Sequence, residues 1–163
     1  MATRIPTINI EDAKFIFRTN FAGRKDKFNN EGERNFNVIL EGEALEIAQA
    51  VGINVKQAKS RDDNAEPVYY TKVRVGYKFR PPLALLINSK SKRSLTEDTI
   101  HILDDFEYDH IDMVIRPNHY TRPDGTQGYN AYLQAIYATV REDPFVSKYY
   151  DIPDEDEAFD TDE

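Results

Sequence analysis

Apolar and polar residues alternate with a period of two along most of the chain, and that period predicts strands. In Phe15-Ile16-Phe17-Arg18-Thr19-Asn20-Phe21 the rings of Phe15, Phe17 and Phe21 fall on one side. Residues 22–32 break the pattern with Gly23 and Asn29-Asn30-Glu31-Gly32, so they read as a basic turn or hairpin loop. Asn35-Phe36-Asn37-Val38-Ile39-Leu40 then resumes a strand, with Phe36, Val38 and Leu40 inward. Between Gly42 and Val51 the spacing becomes helical. Ala44, Leu45, Ile47, Ala48 and Val51 share a face, and Gly52 stands where a C-terminal cap belongs. A short strand over 53–58 and a polar loop over 60–66 follow.

Val68 to Phe79 is the clearest strand. Its odd positions, Tyr69, Thr71, Val73, Val75, Tyr77 and Phe79, suit a core; its even positions, Tyr70, Lys72, Arg74, Gly76, Lys78 and Arg80, make a basic face opened by an aromatic ring. Pro81-Pro82 ends it, because proline cannot donate to a ladder. Leu83–Ile87 is a short apolar strand and 88–94 a basic loop. The type of the 95–106 element is left open. Ile111–Ile115 reads as a strand, Arg122-Pro123-Asp124-Gly125 as a turn, and Tyr129–Val140 as a long last strand. With six to eight strands, one helix and no βαβ alternation, the expected fold is mainly β. It is a small antiparallel barrel or sandwich with one inserted helix.

A length of 163 residues suits one domain, and no apolar run approaches the roughly 18 residues of a membrane span. The N-terminus has no apolar signal-peptide core. With no cysteine there is no disulfide framework, thiolate metal site or cysteine nucleophile, which is compatible with a reducing cytoplasm.

Charge changes the picture more. The net charge of −8 lies wholly in residues 151–163, which hold eight acids and no base and leave 21 acids against 21 bases in residues 1–150. Within that neutral body, Pro67 to Thr96 carries seven bases and no acid, while Glu97 to Asp112 carries seven acids and no Lys or Arg. Blocks sorted in this way bear on partners more than on folding.

No P-loop, GxGxxG or GxSxG is present. His101, His110 and His119 fall in different elements and give no metal-ligand spacing. The acids Asp104, Asp105, Glu107 and Asp109 would suit a two-metal nuclease, or simply a solvated face. The basic strand is the stronger signal. Single-stranded nucleic acid needs cations for its phosphates and flat side chains for its unpaired bases. Tyr70, Lys72, Arg74, Lys78 and Arg80 supply both on one face, where an ordinary exposed strand would mix charge signs. Arg24, Lys25, Lys27 and Phe28 with Arg34 form a second basic feature, and Lys90, Lys92 and Arg93 a third. The tail is too acidic and too poor in apolar residues to build a core, so it is expected to be disordered. Its Ile152 and Phe159 are candidate anchors for a partner, set among Asp154, Glu155, Asp156, Glu157 and Asp160.

Several stretches together resemble a family of tailed-phage single-stranded DNA-binding proteins. They are Phe15 to Gly23, Gly32-Glu33-Arg34-Asn35-Phe36, Tyr69-Tyr70-Thr71-Lys72-Val73, Asp112 to Pro117, and the last strand with Tyr129, Tyr132 and Tyr137. The resemblance covers about residues 10–150, plus the tail in character. It implies an OB-fold, binding without sequence preference, no catalysis and no cofactor, and a role in phage replication or recombination. An acidic C-terminus in such proteins commonly recruits partners.

The combined expectation is an OB-fold-like antiparallel barrel over 1–147, with added strands or hairpins and one helix, and a disordered acidic tail over 148–163. Tyr70, Phe28 and Tyr132 would stack on bases. Lys72, Arg74, Lys78, Arg80 and Arg34 would meet phosphates, with Arg24, Lys25, Lys27, Lys90, Lys92 and Arg93 as looser contacts. Partners would be single-stranded DNA and, through the tail, replication or recombination proteins, in the host cytoplasm and away from membranes; self-association stays open. A metal-dependent nuclease using the 104–109 acids is the alternative, and a phage structural or adaptor protein a third class.

Overall fold

In a computed structural model, which describes residues 6–25, 27, 29–58, 66–78 and 80–141, the alternating segments become strands. In chain order these are β1 (Ile8–Ile10), β2 (Phe15–Asn20), β3 (Arg34–Leu40), β4 (Lys56–Ala58), β5 (Val68–Val75), β6 (Leu83–Ile87), β7 (Lys92–Leu95), β8 (Tyr108–Thr121) and β9 (Gln127–Val140). The helix α1 (Gly42–Val51) lies between β3 and β4, and a 3-10 helix (Ile100–Asp105) settles the type of the 95–106 element. Gly52 caps α1 as its position predicts: with φ +103° it is in the left-handed region, and its N–H donates to the Ala48 carbonyl at 3.1 Å.

Alternation becomes burial on one face of a single sheet. Phe36, Val38 and Leu40 of β3, Val73 of β5, Met113 and Ile115 of β8 and Leu133 and Ile136 of β9 are all at most 1 % exposed. Rings of Phe15, Phe21, Phe36 and Tyr108 pack edge-on or stacked at 5.1–6.0 Å and fill one end of this core. Full burial of each such side chain contributes about 1.5–3 kcal/mol.

The main path through the sheet is β1-β8-β9-β5-β3-β2, with β4 added to β5, β6 to β9 and β7 to β6. This path does not return on itself, so the expected barrel is open. Nor is the sheet wholly antiparallel, because β5 and β6 both run parallel to β9. They share one edge of it. Arg74 stands opposite Tyr132 and Leu83 opposite Ala135, so eight residues, 75–82, span an interval that β9 covers with two. The chain leaves the sheet there and rejoins it.

That excursion corrects the expected strand over 68–79. β5 ends at Val75, and Lys78 and Arg80 belong to the looped-out segment instead of the strand face; Phe79 lies outside the described residues. Phe17 is a second correction. Phe15 and Ile16 pair with Val38 and Asn37, but Asn20 pairs with Asn35, so β2 spends four steps where β3 spends two. The extra residues break the alternation. Phe17 takes φ +63° and is 61 % exposed, while Phe21 is fully buried. The basic segment 88–94 is mostly a tight turn feeding β7: the Asn88 side-chain oxygen accepts from the N–H groups of Lys90 and Ser91. The strand expected over 111–115 runs from 108 to 121, and that over 53–58 shortens to β4. Most of the polar loop over 60–66 lies outside the described residues.

Candidate nucleic-acid interface

Because Thr71, Val73 and Val75 point into the core, Tyr70, Lys72 and Arg74 occupy the opposite face of β5. Strand register extends this face sideways. One row runs Arg116, Tyr132, Arg74, Asn35 and Asn20 across β8, β9, β5, β3 and β2. The next runs Lys72, Asn37 and Ile16, and the third Lys56, Tyr70 and Ile39. Cations and rings therefore lie side by side at the roughly 4.8 Å spacing of neighbouring strands. Strands β2, β3, β4, β5 and β9 contain no acidic residue.

Two aromatic groups stand on this face. Phe17, turned out by the β2 bulge, meets Tyr70 edge-on with ring centroids 5.1 Å apart. Tyr132 lies beneath the Arg116 guanidinium at 5.7 Å, and its ring lies alongside Gly76, where an added Cβ would meet it at an ordinary contact distance of 3.4 Å.

Past the end of β5 the sheet opens into a depression of about 690 Å³ lined by Gly32, Arg34, Tyr77, Lys78, Arg80, Glu97, Arg116, Asn118 and Tyr132. Arg34 lies over the Tyr77 ring at 5.6 Å, with Nη1 3.7 Å from a Glu97 carboxylate oxygen. Burial pushes the Tyr77 hydroxyl up to about 12; Glu97 raises it further and Arg34 opposes. The looped-out segment thus brings Lys78 and Arg80 to the same concavity as Arg34, joining groups that lie far apart in sequence.

The loop bearing Arg24, Lys25 and Lys27 folds against the β2–β3 end of the first row. Asn20 ties it down, accepting from the Arg24 N–H and donating to the Arg24 carbonyl, and the Asn35 side chain donates to Asn29. All three bases are exposed there. Lys90, Lys92 and Arg93 are not brought to this group. They lie on the β6–β7 hairpin, whose Ile87 faces Thr139 of β9, seven residues or about 23 Å along that strand from Tyr132. Phe28 and the tail residues Ile152, Asp154, Glu155, Asp156, Glu157, Phe159 and Asp160 lie outside the described residues.

Three of the four acids weighed as nuclease ligands, Asp104, Glu107 and Asp109, have structural partners. Asp104 accepts from the Thr19 hydroxyl at 2.6 Å and from the backbone N–H groups of Phe21 and Ala22 at 2.9 Å each. Glu107 and Asp109 face Arg141 at 3.5 and 3.3 Å. Among the described residues no cluster of three His, Cys, Asp or Glu side chains could hold a metal ion, and no helix is long and apolar enough to cross a membrane.

Sequence reasoning passed over Phe17, Arg116, Tyr77 and Glu97. Arg116 was legible, since the inward run Ile111, Met113, Ile115 places residue 116 outward if the strand continues; Pro117 hid that continuation. Phe17 had no local signal.

The geometry matches known proteins. Structural similarity extends to the single-stranded DNA-binding protein of bacteriophage Enc34. Its complex with ssDNA superposes with a TM-score of 0.54 at 12 % identity, covering 85 % of this chain and 89 % of that one. A C-terminally truncated form gives 0.53 at 12 % identity, covering 85 % and 88 %. The untruncated protein gives 0.51 at 13 % identity, covering 94 % and 89 %. At these identities the likeness concerns the fold, which is OB-like with an open sheet. No curated protein sequence matches the chain. The model of the phage ssDNA-binding domain family, however, matches residues 1–163 throughout. A fold shared with phage ssDNA-binding proteins and a family match over the full length lead to one assignment: the chain belongs to the phage ssDNA-binding domain family.

Proposed function

We propose that this protein binds single-stranded DNA without sequence preference, using the outer face of β5 and its neighbours. The observation that carries the reading is the face on which Tyr70, Lys72, Arg74, Tyr132 and Arg116 are set side by side, with no acid in β2, β3, β4, β5 or β9. Guanidinium and ammonium groups neutralise phosphates whatever the base, and rings stack on any base, so such a surface has affinity without a sequence code. Family membership supports the same substrate, and a binding role without catalysis. The depression behind Arg34, Lys78 and Arg80 extends the cationic track.

The role belongs to phage DNA replication or recombination in the host cytoplasm, where single strands need protection. The folded unit is assigned to residues 1–147. The acidic tail over 148–163, with Ile152 and Phe159 among its carboxylates, recruits basic partner proteins; its composition supports this.

Titration of poly(dT) against intrinsic tyrosine fluorescence at two salt concentrations tests the central claim. Four to six neutralised phosphates predict a log–log salt slope of roughly −3 to −4, from about −0.7 per contact on single strands. A flat salt response, or no binding, would remove the reading. Magnesium-dependent loss of labelled strand would restore the nuclease alternative.

A further inference from the structure

Phe17 combines two features that folding alone does not explain. Its side chain is 61 % exposed, the most exposed of the large apolar residues among the described ones. Its backbone also sits at φ +63°, in the left-handed region that favours glycine, a conformation that costs a non-glycine residue free energy. A residue kept there for packing would be buried. Phe17 instead leans edge-on against Tyr70 and stands beside the Lys72 row, among strands β2 to β5 that contain no acid.

Register fixes how far this pair lies from the other aromatic group. Tyr70 and Arg74 are four residues apart on β5, about 13 Å, and Tyr132 is one strand further over, about 4.8 Å, which gives about 14 Å in all. Two strand residues span about 6.6 Å, close to one step of an extended polynucleotide, so the separation corresponds to two nucleotide steps. Lys72 lies between the two, and Arg74 stands beside Tyr132 in its row.

We infer that Phe17 and Tyr70 form one base-stacking station and Tyr132, under Arg116, a second, two nucleotides further along a DNA strand that runs lengthwise over β5. The phosphate between the two stations meets Lys72, and the one at the second station meets Arg74. This rests on the single-stranded DNA-binding reading and names a residue and a strand direction that the reading leaves open. The bulge in β2 then has a purpose: it turns Phe17 from the core face to the DNA face.

Two variants of the full-length protein test it, with the unaltered protein as reference. Phe17→Gly removes the ring and relieves the left-handed strain. It is expected to keep or raise the thermal transition while weakening (dT)8 binding roughly 5- to 100-fold, the loss of one stacked base, with the salt slope unchanged. Phe17→Trp introduces the sole tryptophan of the chain, and its emission is expected to be quenched on saturation with (dT)4 or (dT)8. Undiminished affinity in Phe17→Gly, or unquenched emission from a bound Phe17→Trp protein, overturns the stacking station while leaving DNA binding intact. Failure of the unaltered protein to bind would overturn the underlying reading and the station with it.

Discussion

Glu97 holds a carboxylate oxygen 3.7 Å from Nη1 of Arg34, inside a depression whose other charged lining residues are Arg34, Lys78, Arg80 and Arg116. If DNA follows the proposed path over Arg34, this carboxylate competes with its phosphate for the guanidinium. Glu97→Gln keeps the shape and removes the charge. It should tighten single-strand binding severalfold at low salt, and the gain should fade as salt screens the site. Because Glu97 is 58 % exposed, the pair adds little to stability, and the thermal transition should move by no more than a few degrees. Equal affinities in a fluorescence anisotropy titration at low salt would refute the idea.

The two faces of β5 should respond oppositely. Lys72→Glu with Arg74→Glu should abolish binding and leave unfolding nearly unchanged, since Arg74 is exposed and Lys72 half-buried at the outer surface. Val73 is fully buried, so Val73→Asp places an unpaired charge in the core and should cost several kcal/mol. Circular dichroism melts beside DNA titrations separate the outcomes, and a reversed result would invert the face assignment.

Asp104 should behave as a structural residue. It accepts three hydrogen bonds from the Thr19–Ala22 segment, and a bond to a charged acceptor contributes about 1.5–3 kcal/mol. Asp104→Ala should therefore destabilise the protein by about 2–4 kcal/mol in denaturant unfolding. Labelled single strand should stay intact with magnesium and either protein. Magnesium-dependent cleavage that vanishes in the variant would make Asp104 catalytic instead.

Tyr77 predicts an alkaline limit. Its hydroxyl is held at about 12 against 10 in an ordinary tyrosine, with burial the main cause. Below pH 10 both folded and unfolded states keep the proton, so the group gives stability no pH dependence. Above pH 10 the unfolded chain loses the proton first, and stability falls as pH rises toward 12. Burial pushes the Tyr108 hydroxyl up as well, with Asp104 and Asp105 adding to it, which steepens the same fall. Among the described residues the Tyr77 hydroxyl has no hydrogen-bond partner, so Tyr77→Phe should fold as well as the parent and lose less stability between pH 10 and 12. Urea midpoints measured from pH 7 to pH 11.5 decide this.

Deleting residues 151–163 removes eight acids and brings the net charge from −8 to zero. If the tail competes with DNA for the cationic face, truncation after Tyr150 should tighten binding most at low salt, since a tethered competitor acts at an effective concentration on the order of millimolar. Affinity indifferent to truncation at low salt would leave recruitment as the function of the tail.

What the sequence determined follows from local periodicity. Alternation in 34–40 and 68–75 fixed which side chains enter the core, because successive strand residues must point to opposite faces. Helical spacing with Gly52 fixed α1 and its end. That Lys72 and Arg74 face outward was legible for the same reason. Tertiary pairing decided the rest. Nothing near Phe17 marks the bulge, which arises because Asn20 pairs with Asn35 and Asp104, more than eighty residues away, holds the next segment. Nor could local pattern show that β5 and β6 share one edge of β9, which ejects 76–82 and carries Lys78 and Arg80 from the strand to the Arg34 depression. Lys90, Lys92 and Arg93 read as looser contacts of the same surface, yet the β6–β7 hairpin sets them at the far end of β9. Periodicity fixes which way a side chain points. Which residues become neighbours depends on register between distant strands, and register is set by the whole sheet at once.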